Sequence, residues 1–93
     1  MARTLEGLDP GTPVFAGRTR VGEVRGVYAE GEARSVEVVV VRWDARGEDV
    51  VVPSTEVQGV DDAGVALMRQ EPDQYGDLAP FDGGRFPTLR RLK

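Results

Sequence analysis

The run Val36-Glu37-Val38-Val39-Val40-Val41-Arg42-Trp43 carries apolar side chains at both parities. In an extended strand, positions 36, 38 and 40 share one face, and positions 39, 41 and 43 share the other. Strict alternation would mark a strand with one wet face. Here both faces are apolar, so both need cover. In so short a chain the second cover has three sources: closure of a barrel, the C-terminal segment, or another protein chain.

Shorter strands are expected on either side of this one. Leu8-Asp9-Pro10-Gly11-Thr12-Pro13 reads as a turn, with two prolines and a glycine in six residues. Val14-Phe15-Ala16 follows as a first strand, and Gly17-Arg18-Thr19-Arg20 turns the chain. Residues 21–28 make a longer strand in which Gly22 and Gly26 mark a bulge or bend. The three-residue spacing of Val21, Val24 and Val27 would also suit a helix, but the two glycines and the β-branched content favour a strand. The valine strand runs over residues 34–43. Asp44-Ala45-Arg46-Gly47 then forms a tight hairpin loop, with Gly47 taking a positive φ at its end. Residues 49–52 return as the partner strand, which Pro53 ends. Residues 53–57 suit a single helical turn that Ser54 could cap. Val60, an acidic turn at Asp61-Asp62-Ala63-Gly64, and Val65-Ala66-Leu67-Met68 complete the last strand region. Five or six short strands at this spacing predict an all-β barrel or sandwich.

From Arg69 the character changes. Residues 69–93 contain three prolines and three glycines and no apolar run longer than two residues. The chain therefore divides into a β domain over residues 1–68 and an extension over residues 69–93. The extension is either flexible or strapped onto the barrel, and no secondary structure is expected in it.

Composition narrows the function classes. The chain has 93 residues, no cysteine and no histidine. Disulfides, thiolate nucleophiles and sulfur-ligated metals are excluded, and so are the commonest general acid–base group and the commonest metal ligand. No apolar stretch approaches the length of a membrane span, and residues 1–6 lack a secretion core, so a cytoplasmic location without membrane insertion is expected. The formal net charge is −4. Residues 1–68 hold twelve acids against seven arginines, whereas residues 69–93 hold four acids against five bases. An acidic body disfavours nucleic-acid binding except through the tail.

The clusters Asp44/Glu48/Asp49 and Asp61/Asp62 lack the alternating spacing of a calcium loop and read as solvated turn carboxylates. Gly83-Gly84 is a hinge without the remaining residues of a phosphate loop. Ser54, Thr55, Tyr28 and Tyr75 have no visible base, so no catalytic, metal or cofactor site is expected.

Five residues are candidates for partner binding. Trp43 ends the double-faced strand and is either a core side chain or an interface anchor. Arg85, Phe86, Arg90 and Arg91 interleave cations with an aromatic ring on the tail, a pattern suited to an acidic surface or RNA.

The order of the pieces resembles the PRC-barrel family, the small β-barrel related to the cytoplasmic barrel of the photosynthetic reaction centre. The resembling stretch runs from about Gly11 to Met68. It comprises Gly11-Thr12-Pro13-Val14-Phe15, then Val21-Gly22-Glu23-Val24 leading to Val27-Tyr28, then the valine strand. Val51-Val52-Pro53 before Val57, and the closing Asp61-Asp62-Ala63-Gly64-Val65-Ala66-Leu67, complete it. The chain departs from the family at Gly17-Arg18-Thr19-Arg20, where Asp-Gly or similar is usual, and the tail has no counterpart. The resemblance implies a five- to six-stranded barrel that works as a binding and assembly module, and it carries no catalytic residues. A non-enzymatic role with a protein partner is therefore expected. The alternatives are an RNA- or ribosome-associated factor that uses the basic tail, and a structural homodimer.

Overall fold

The computed structural model describes residues 8–32, 36–81 and 89–92. Seven strands form one sheet: β1 (Pro13–Ala16), β2 (Thr19–Glu30), β3 (Val38–Trp43), β4 (Glu48–Pro53), β5 (Val57–Asp61), β6 (Gly64–Leu67) and β7 (Leu89–Arg91). The hydrogen-bonded order is β4-β3-β2-β1-β6-β5, with β7 pairing β2 beside it. All pairs are antiparallel except β1–β6. The protein is all-β, and among the described residues β4 and β5, the ends of the path, do not pair with each other.

The turns follow local chemistry. Gly47 closes the β3–β4 loop at φ +65°, which a side chain would resist. Between β1 and β2 only Gly17 and Arg18 lie in the loop, and Thr19 and Arg20 already belong to β2. Gly17 has φ +61° and Arg18 does not have a positive φ, the pattern of a type II′ hairpin turn. In β2 the register to β3 shifts between Val24 and Gly26, so the bulge falls at Arg25.

Three local details differ from the sequence expectations. The turn after β4 is a 3-10 turn at Ser54–Glu56 whose N-cap is Pro53, so Ser54 lies one place too late to cap it. The region after residue 57 is a hairpin of two strands, because Asp61 Oδ1 accepts the amide N–H groups of Ala63 and Gly64 at 2.8 and 3.2 Å and reverses the chain. Val36 lies ahead of β3 and joins the core, outside the parity of Val38 and Val40.

The core sits on one face of the sheet. Val14, Ala16, Val24, Val27, Val39, Val41, Val50, Val52, Val65 and Leu67 supply it from five strands and their register partners. Each valine removed from water contributes about 1.5 kcal/mol or more. The opposite face of β3 is also dry: Val40 and its partner Val51 are both buried.

Residues 69–81 explain much of this cover. Tyr75, in a 3-10 turn at Pro72–Tyr75, is 1% exposed and belongs to the core cluster. Beyond it the chain runs along the outer edge of β4. There Val51 N–H donates to Ala79 O at 2.9 Å, and Phe81 N–H donates to Asp49 O at 2.8 Å. Those bonds satisfy a strand edge that would otherwise template aggregation. The Phe81 ring leans across the sheet to Tyr28 of β2, with centroids 5.2 Å apart. No helix among the described residues is long and apolar enough to cross a membrane.

Candidate functional site

Strand parity builds the most distinctive surface of the molecule. In β1, Val14 and Ala16 point into the core, so Phe15 faces outward and is half-buried. In β6, Val65 and Leu67 point inward and Ala66 faces outward. The registers place Arg20, Phe15, Ala66 and Gly59 in one row across β2, β1, β6 and β5. Small residues at 63, 64 and 66 leave the Phe15 ring standing beside a hollow. A groove of about 360 Å³ results, lined by Phe15, Arg18, Asp61, Val65 and Ala66 among others. Met68, one residue past β6, is 54% exposed and is the one exposed large apolar side chain among the described residues.

The charges around this groove are unequal in their commitments. Asp61 uses Oδ1 to hold its own turn. Arg18 and Arg20 are exposed and make no hydrogen bond or ion pair among the described residues. Each guanidinium offers five N–H donors in a planar fork. The hollow therefore presents an apolar floor with uncommitted cations beside it, which suits an apolar side chain next to a carboxylate.

A second cleft, of about 310 Å³, lies between the β4 edge and the C-terminal segment. Arg69 ties several of its polar groups together. Arg69 donates its backbone N–H to the Tyr75 hydroxyl at 2.8 Å, and its guanidinium carbon lies 5.2 Å from the centre of the Tyr75 ring. Its Nε stands 3.3 Å from Glu56 Oε1, and its Nη1 donates to Gln74 O. Burial raises the Tyr75 pKa above its usual value of 10.0, and the nearby Glu56 carboxylate adds to the rise, while the hydrogen bond from the Arg69 amide opposes it. These contacts latch the C-terminal segment onto the sheet.

The partner-binding candidates from the sequence are scattered. Trp43 is 4% exposed, and its ring lies 5.7 Å from that of Tyr75, so it presents little surface in this chain. Arg85 and Phe86 lie outside the described residues. Arg90 and Arg91 are exposed on β7, where Arg90 Nε donates to Gly31 O at 3.3 Å and Arg91 Nη2 to Arg25 O at 3.0 Å. Among the described residues no group of three or more acids is placed to hold a metal ion. The sequence reading passed over the outer groove. Its signal was the alternation Val14-Phe15-Ala16, which turns the aromatic side chain away from the valines.

Comparison with protein-family models, with curated proteins and with solved structures finds no match.

Proposed function

We propose that this chain is a non-enzymatic binding module of the PRC-barrel kind, taking a protein partner into the outer groove of β1, β6 and β5. The partner feature that fits is an apolar side chain followed by a carboxylate. The observation that carries this reading is the hollow lined by Phe15 and Ala66, with Arg18 on its wall and Arg20 opposite Phe15 in the ladder, both uncommitted among the described residues. Aromatic and arginine side chains supply most of the energy at protein interfaces. Asp61, the carboxylate that lines the groove, is engaged by its own turn and has no histidine or cysteine to work with, so recognition accounts for the groove better than catalysis.

Affinity capture from native extract tests it, comparing the wild-type chain with Ala66→Lys. The lysine fills the hollow while its charged end reaches solvent. Loss of the captured partner, with the melting temperature unchanged, is the expected result. An unchanged capture profile would place recognition elsewhere.

A second reading, the structural homodimer, rests on one feature. β3 is flanked by β2 and β4, and the far edge of β4 carries Ala79 and Phe81, so the edges beside the valine strand are occupied. Among the described residues the far edge of β5 pairs with no strand. Self-association would use that edge and would appear as a concentration-dependent mass.

A further inference from the structure

We propose a second binding site, separate from the groove: an oxyanion site on the outer face of β2, β3 and β4 that takes the carboxylates of an acidic segment of a partner protein. The site is made by the β2 bulge. The register passes from Val24↔Val41 to Gly26↔Val40, so Arg25 is the extra residue. Its side chain reaches Asp49 of β4, with Nε 3.9 Å from Oδ2. Arg42 lies directly opposite Asp49 in the β3–β4 ladder, with Nη1 3.8 Å from Oδ1. From β7, Arg91 binds the carbonyl of Arg25 through Nη2 and thereby brings a third guanidinium to the same place.

These contacts leave the site unsaturated. Both ion-pair distances exceed the range of about 2.7–3.2 Å for an N–H···O bond, so Asp49 attracts both arginines without using up their donors. Asp49 Oδ1 is buried and accepts no hydrogen bond. Two guanidinium groups, those of Arg25 and Arg42, share the Asp49 carboxylate, and a third, that of Arg91, is held beside them on the Arg25 carbonyl; Glu23 is the register partner of Arg42 on its other side. Arg25 and Arg42 keep 57% and 48% of their side-chain surface exposed. Forked donors at this spacing match carboxylates bidentately. A peptide carboxylate pair ends within such a site. A nucleic-acid backbone would continue its charge beyond the site along a chain whose net charge is −4, and would be repelled there.

The groove reading does not depend on this site, because the two use different arginines: Arg18 and Arg20 there, Arg25, Arg42 and Arg91 here. Fluorescence anisotropy with a labelled octapeptide of alternating glutamate and serine tests the site, with a labelled oligouridine of equal length as comparator. The full chain should bind the peptide, more weakly as salt rises, and more tightly than the oligouridine. The Arg42→Ala/Arg91→Ala variant should lose at least tenfold in affinity at an unchanged melting temperature. Arg18→Ala/Arg20→Ala, which alters only the groove, should keep the affinity. Asp49→Asn, which frees both guanidiniums, should tighten binding severalfold. Absence of peptide binding, undiminished binding by the double variant at 42 and 91, weaker binding by Asp49→Asn, or preference for the oligouridine would overturn the proposal.

Discussion

Tyr75 shows how one residue can reverse the apparent role of a segment. It sits in a polar, proline-bearing stretch, yet it is buried against Trp43 and accepts the Arg69 amide through its hydroxyl. Tyr75→Phe keeps the ring and leaves that N–H without its partner, at an expected cost of about 1 kcal/mol. The substitution also has a pH signature. The folded state holds the Tyr75 proton more tightly than the unfolded state, whose hydroxyl titrates near 10.0. The stability from this group is therefore fully present below pH 10 and declines as pH rises through the raised value. Denaturant melts between pH 8 and 11 should show a steeper alkaline loss for wild type than for Tyr75→Phe. Parallel curves would mean that Tyr75 titrates no differently in the folded chain.

At the scale of elements, the sequence disclosed what local pattern and turn chemistry determine. β3 was legible from its double-faced valines, the β3–β4 loop from Asp44 and Gly47, and the β2 bulge from Gly22 and Gly26. The barrel closure expected from strand spacing has no pairing between β4 and β5 to support it among the described residues. β7 was illegible because Leu89, Arg90 and Arg91 have no strand pattern of their own. Their pairing is set by Glu30, Ala29 and Tyr28 of β2, about sixty residues earlier. The run from Ala79 to Phe81 was hidden for the same reason, since its backbone bonds belong to the β4 edge. The Ser54 cap failed by one position because Pro53 already occupies the N-cap.

That hidden contribution is measurable. A chain ending at Gln70 loses Tyr75 from the core, uncovers the β4 edge and removes β7. Losing a buried aromatic side chain alone costs about 3–5 kcal/mol. Against a usual domain stability of about 5–15 kcal/mol, the truncated chain should melt far lower and aggregate through β4. Urea unfolding of both chains checks this, and equal midpoints would show that residues 71–93 add nothing to the fold.

Across the whole molecule, the acidic body and its few uncommitted arginines set the style of interaction. A net charge of −4 favours solubility and discourages indiscriminate contact with nucleic acid, so local positive features stand out. Arg18 lines an apolar hollow that faces away from the core, Arg20 lies opposite Phe15 in the ladder, and Met68 extends the exposed apolar surface past β6. The groove arises because β1 and β6 lie side by side in parallel, a pairing between segments fifty residues apart. No local pattern announces such a pairing, so the outward parity of Phe15 could be read from the sequence while its partner Ala66 could not.

Photo-crosslinking from inside the groove tests this account most directly. A benzophenone side chain placed at position 66 and irradiated in native extract should give one dominant adduct of discrete mass. The same probe at Ala45, on the exposed β3–β4 loop, should not give it. An absent adduct, or the same adducts from both positions, would contradict the assignment of the groove as the docking surface.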